Sequence, residues 1–173
     1  MAGLLHIYCG DGKGKTTAAL GLALRAHGAG KQVVVVQFLK SLPTGELASL
    51  KELGIPVLRG NLCGKFFSRM TDDEKKQTLA SHQQIFHEAQ QRCLQAGNGL
   101  LILDELSSAY RYGMIEQKEV LHFLDHRPQE LEVVITGRDP APELLARADY
   151  ISEVVKKKHP YDLGITAREG IEY

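Results

Sequence analysis

Three short segments carry glycines, cations and carboxylates at spacings that matter. The first runs Cys9-Gly10-Asp11-Gly12-Lys13-Gly14-Lys15-Thr16-Thr17. The common phosphate-loop signature is Gly, four residues, then Gly-Lys-Ser/Thr. Gly14-Lys15-Thr16 meets its second half, while Cys9 stands at the leading Gly. The physical requirement survives that change. Gly10, Gly12 and Gly14 allow positive φ and close backbone approach. Successive N–H groups can then turn inward as an anion nest. A helix starting after the loop offers its N-terminal dipole to the same anion. Lys15 supplies a point charge, and Thr16 a hydroxyl suited to Mg²⁺, which shares oxygen ligands with phosphates. The plain alternative is a glycine-rich turn capped by lysines. The order strand, loop, helix argues against it.

The second segment is Leu-Leu-Ile-Leu-Asp104-Glu105. Four apolar residues ending in two acids match the strand end that holds Mg²⁺ or its waters in phosphate-loop proteins. The third, residues 135–140, places Arg138 just past an apolar run. Arg can clamp phosphate oxygens bidentately; a solvated loop arginine is the other reading. No candidate general base lies near the loop. The seven His are dispersed, and His122 and His126, four apart on one helical face, lack a metal-protease pattern around them.

These segments need a scaffold that brings them together. Residues 4–9 read as a strand ending at the glycines, and 16–27 as a helix stopped by Gly28 and Gly30. Residues 32–39 form an unbroken β-branched run, as in a strand covered on both faces. A short helix over 47–53 and a short strand over 55–58 follow. Thr71 and Glu74 make a capping box for a helix running to Gly97. Its expected inner face holds Leu79, Gln83, Phe86, Ala89, Gln90 and Cys93. Residues 100–105 are a buried strand, 117–124 a helix, 132–136 a strand, 142–148 a helix and 150–155 a last strand. Alternating β and α of these lengths predicts a phosphate-loop α/β fold: a parallel sheet with helices on both faces. Sites in such sheets lie beyond the carboxyl ends of the strands. All three loaded segments fall there.

The 173 residues suit a single domain, 1–173. Lys+Arg and Asp+Glu are both 21, so nothing in the charge suggests a nucleic-acid partner. No apolar run approaches the roughly 18 residues of a membrane span, and the first residues lack an export pattern. Cys9, Cys63 and Cys93 form neither a disulfide framework nor a zinc spacing. A cytoplasmic location is the simplest reading, with Cys9 and Cys93 as buried thiols.

The loop and helix together (residues 10–40), "LLILDEL", "VVITGRDP" and the closing "KKHPYDLGITAREGIEY" resemble the ATP:corrinoid adenosyltransferases. The likeness runs from Gly10 to Tyr173. It implies transfer of the 5′-deoxyadenosyl group of ATP to the cobalt of a Co(I) corrinoid, with triphosphate leaving. It also implies Mg²⁺, a reductase or flavoprotein as electron donor, and a homodimer. Gly10, Asp11, Gly12, Lys13, Gly14, Lys15, Thr16 and Thr17 would bind the triphosphate, Lys15 and Arg138 acting in catalysis. Thr16, Asp104 and Glu105 would serve the metal. Arg25 and Arg138 match arginines expected to contact ATP, and residues 156–173 would pack near the nucleotide. Family members often carry Trp near the corrinoid; this chain has none. Phe66 and Phe67 are the candidates for that aromatic role, with packing beneath a loop as the alternative. A small kinase or ATPase, or a nucleotide-binding regulator, would share the loop but not the closing segment.

Overall fold

A computed structural model of the protein describes residues 2–60, 64–65, 67–96 and 99–173. The strands are β1 (Leu5–Cys9), β2 (Gln32–Gln37), β3 (Val57–Arg59), β4 (Gly99–Asp104), β5 (Glu132–Thr136) and β6 (Tyr150–Glu153). They pair in parallel in the order β3-β2-β4-β5-β1-β6. The helices are α1 (Lys15–Gly28), α2 (Glu46–Glu52), α3 (Asp72–Ala96), α4 (Leu106–Arg111), α5 (Gln117–His126) and α6 (Pro142–Leu145).

Side chains alternate across a strand, so one apolar run can feed two cores. Val33, Val35, Leu100, Ile102 and Val134 pack with Ala19, Ala23, Ala26 and Leu50 of α1 and α2. Val34, Val36, Leu101, Leu103, Val133 and Ile135 pack with α3, α4, α5 and α6 on the opposite face. The buried stripe of α1 is alanine at helical spacing. Small side chains let the helix lie close to the sheet, which sets where its N-terminus meets the strand ends.

The expected capping box of α3 is present. Thr71 N–H donates to Glu74 Oε2 at 2.8 Å, and Glu74 N–H to Thr71 Oγ1 at 3.3 Å. The inner face of α3 is rotated from the expected one. Thr78, His82, Ile85, Phe86, Ala89 and Cys93 are buried, while Leu79 and Gln83 are only half-buried. A polar His82 at the centre hides this stripe from a hydrophobic pattern. Other boundaries also move. β2 stops at Gln37, because Leu39 takes a left-handed φ of 57°. β4 stops at Asp104, and Glu105 (φ 61°) caps α4, a six-residue helix too short to show periodicity. α6 is a single turn rather than a helix to residue 148.

Cys9 and Cys93 are free and buried, and burial pushes the Cys93 thiol up to about 11. Cys63 lies outside the described residues. Among the described residues no helix is long and apolar enough to cross a membrane.

His82 couples this core to proton concentration. Its Nδ1 lies 2.9 Å from the Met114 carbonyl, and its Nε2 accepts from Leu39 N–H at 3.2 Å. A neutral ring protonated on Nδ1 satisfies both. Burial lowers the pKa from its ordinary value near 6.5. The unfolded chain takes up a proton below that value while the folded chain resists it. The stabilisation is therefore complete above pH 6.5 and is lost as pH falls toward the lower folded value. The melting temperature should fall between about pH 7 and pH 5 more steeply in the wild type than in His82→Gln. Equal slopes in calorimetry would remove His82 as the source.

Candidate functional site

β1 ends at Cys9, which is buried and has no positive φ. A side chain is therefore tolerated where the common loop has its first glycine. The positive φ falls instead on Gly10 (99°) and Gly14 (117°). Gly14 caps α1, whose first turn holds no acidic residue, so its dipole is left open to an anion. Lys15 Nζ folds back on the Gly12 carbonyl at 2.7 Å and is buried. Burial lowers its pKa, with Glu105 opposing and Arg138 adding to the shift.

Parallel pairing puts Asp104 level with Gln37 of β2, and β5 lies on its other side. Asp104 is fully buried. Its Oδ1 accepts from the hydroxyls of Thr16 at 2.8 Å and Thr136 at 2.6 Å. Its Oδ2 lies 2.6 Å from Lys40 Nζ. Thr136 Oγ1 also accepts from Glu105 N–H at 2.9 Å, and the Glu105 carboxylate accepts from Ser108 Oγ at 2.9 Å. Thr16, Asp104 and Glu105 thus gather hard oxygen donors at the start of α1, which is the donor chemistry Mg²⁺ takes. Among the described residues no three His, Cys, Asp or Glu side chains could hold a metal ion by themselves. An ion here would draw its other ligands from phosphate and water.

Arg138 is exposed beyond β5. It stands near enough to the loop for its charge to help lower the pKa of both Lys15 and Asp11. Asp11 is held low chiefly by the Lys156 N–H, which donates to its Oδ1 at 2.9 Å. Gly12 N–H donates to the Val154 carbonyl at 2.7 Å. Lys13 pairs with Glu172 at 3.0 Å, and Arg168 is the main cause that pulls the Glu172 carboxyl down to about 2. Val154, Lys156 and Glu172 therefore touch the loop.

A cleft of about 940 Å³ opens beside it. Thr16, Thr17, Leu20 and Leu24 form one wall, Lys40 and Glu46 another, and residues 170–173 a third. Arg25 is exposed further along α1, outside the cleft lining, where its charge reaches Tyr8. Phe67 also lies outside the lining. It stacks on Tyr112 with centroids 4.9 Å apart, with Lys75 Nζ 5.1 Å above its ring. Phe66 lies outside the described residues. Lys40 and Glu46 join the site without having been singled out in the sequence. Only the adjacency of β2 and β4 brings them in, and no local spacing reports it.

The bond between Gly12 and Val154 leaves little room at Gly10. A Cβ there would sit 2.5 Å from the Val154 carbonyl oxygen, whereas one on Gly14 would meet nothing within 4 Å. Gly10→Ala is expected to cost roughly 2–4 kcal/mol, and Gly14→Ala only about 1–2 from backbone strain. Urea denaturation measures both. Equal losses would mean that β6 does not press on the loop.

Known proteins match this chain over its length. The family described as "ATP:corrinoid adenosyltransferase BtuR/CobO/CobP" matches residues 1–173. The corrinoid adenosyltransferase of Escherichia coli K12 is 36% identical over 99% of this chain and 86% of its own. That of Pseudomonas aeruginosa is 35% identical over 99% and 84%. The corrinoid adenosyltransferase CobA of Salmonella typhimurium is 35% identical over 99% and 86%. Two solved structures share the fold alone. The cytoplasmic domain of EssC has a TM-score of 0.55 at 14% identity, over 96% of this chain and 34% of that one. EssC ATPases 2 and 3 from Geobacillus thermodenitrificans have 0.54 at 16%, over 98% and 36%. The chain spans about a third of the length of those structures. The phosphate loop, the acidic strand end and the full-length match agree: the chain belongs to the ATP:corrinoid adenosyltransferase family.

Proposed function

We infer that the protein transfers the 5′-deoxyadenosyl group of ATP to the cobalt of a Co(I) corrinoid and releases triphosphate. The family match across residues 1–173 is the observation that carries this reading. Cobalt attacks C5′ with its electron pair, the Co–C bond forms, and the C5′–O5′ bond breaks with its electrons on triphosphate. Co(I) is itself a strong nucleophile, so the reaction asks for no general base. The demand falls on the leaving group, which needs preorganised positive charge.

The chain's own residues are arranged for that demand. Residues 10–17 wrap the triphosphate with backbone N–H groups, and the open N-terminus of α1 points at it. Lys15 turns from the Gly12 carbonyl to a phosphate oxygen. Lys13 leaves Glu172 for another. Arg138 closes from beyond β5 and, with Lys15, carries the charge that develops on the leaving oxygen. Thr16, Asp104 and Glu105 would hold Mg²⁺ together with the phosphates, and the ion would supply further positive charge there. Leu20, Leu24, Ile171 and Tyr173 give the cleft an apolar side. Arg25 acts as a more distant ATP contact, and Phe66 and Phe67 as the aromatic residues toward the corrinoid. A reductase or flavoprotein supplies the electron, and the protein works as a cytoplasmic homodimer.

A small kinase or ATPase would use the same loop but would yield ADP. An anaerobic assay with Mg-ATP and chemically reduced cobalamin separates the two. A photolabile cobalt–carbon product with triphosphate in the phosphorus NMR spectrum is expected. ADP would overturn the assignment. Lys15→Ala should lower the rate by about a hundredfold or more. Full activity in that variant would remove the loop's assigned role.

A further inference from the structure

Asp104 presents the sharpest charge problem in the fold. A fully buried carboxylate needs a cation or several donors to remain charged. Two hydroxyls serve Oδ1; Oδ2 accepts no hydrogen bond among the described residues and is met there by the Lys40 ammonium as an ion pair, 2.6 Å away. Lys40 is no fixed part of the core. It lines the cleft and keeps 23% of its side-chain surface exposed. A second carboxylate is already within reach: Glu46 Oε1 lies 3.8 Å from the same ammonium. Glu46 is held in place by Gln37, whose Nε2 donates to Oε1 at 2.9 Å. Burial pushes the Glu46 carboxyl up, but this bond and its neighbours outweigh it and keep the group charged. The backbone beneath Lys40 is fixed as well, because Leu39 N–H is bound to His82.

We propose that Lys40 is the resident counter-ion of Asp104 in the nucleotide-free protein, and that it gives up Oδ2 to the metal arriving with ATP and moves to Glu46. This rests on the reading that Asp104 serves Mg²⁺. A divalent cation and an ammonium repel each other across one carboxylate oxygen. Free metal must therefore displace a tethered competitor that costs no binding entropy. Metal bound to a nucleotide brings four negative charges that favour the exchange. The protein thereby takes metal and ATP together and refuses the metal alone. Lys40 touches no reacting atom, so it is a positioning residue.

Manganese titration followed by electron paramagnetic resonance tests this on the nucleotide-free protein. Wild type should bind Mn²⁺ weakly, and Lys40→Met about tenfold more tightly or better. The gain should vanish in Lys40→Met/Asp104→Asn. Equal affinity in wild type and Lys40→Met, with Asp104→Asn still abolishing binding of Mn²⁺ with ATP, overturns the exchange and leaves the metal site standing. No effect of Asp104→Asn on Mn²⁺ with ATP overturns the metal reading and the exchange with it. A second measurement needs no folded Met variant. The ε-carbon resonance of Lys40 in wild type, assigned by its loss in Lys40→Arg, should shift on adding Mg-ATP and not on adding ATP with EDTA. An unmoved resonance overturns the exchange.

Discussion

The rest of the site depends on one buried carboxylate. Asp104 reaches Thr16 at the start of α1, Thr136 at the end of β5 and Lys40 after β2. Four separate chain segments are thus joined through two oxygens. Each partner lowers the cost of burying the charge, and each is held in position by doing so. Thr136 extends the set by one more bond to Glu105 N–H. That bond supports the left-handed turn that starts α4 and points the Glu105 carboxylate toward Ser108.

The sheet order makes this junction possible. β2, β4, β5 and β1 lie side by side, so their carboxyl ends share one rim. The alanine stripe of α1 brings the helix close over β4 and β2, and its N-terminus arrives at that rim with no acid to quench it. A chain with zero net charge thereby concentrates positive potential at one place. Lys13, Lys15, Lys40 and Arg138 all stand around it, balanced for the present by Glu172, the Gly12 carbonyl and Asp104.

Much of this was readable in advance, for definite reasons. The loop, the acidic strand end and the arginine beyond β5 are local motifs, and alternating short apolar runs with helical segments fixes their common rim. The capping box at Thr71 and Glu74 is equally local. Lys40 was not readable, because its partner is sixty-four positions away and only the β2–β4 register of Gln37 with Asp104 brings them level. His82 misled the pattern of α3, since a neutral buried imidazole with two backbone partners behaves as core while reading as polar. Glu105 ended a strand one residue early because the left-handed turn it makes has no hydrophobic signature.

The pairing of β1 carries a consequence for synthesis. Among the described residues its sheet neighbours are β5 and β6, and Gly12 and Asp11 are tied to Val154 and Lys156. The first strand translated therefore waits, unpaired, for residues beyond 130. β2, β3 and β4 can assemble with one another well before then. On the ribosome the nucleotide loop is among the first segments to emerge, while its β5, β6 and Val154 partners emerge late. A nascent chain that has not reached Val154 and Lys156 lacks the contacts that hold Gly12 and Asp11 in the folded protein.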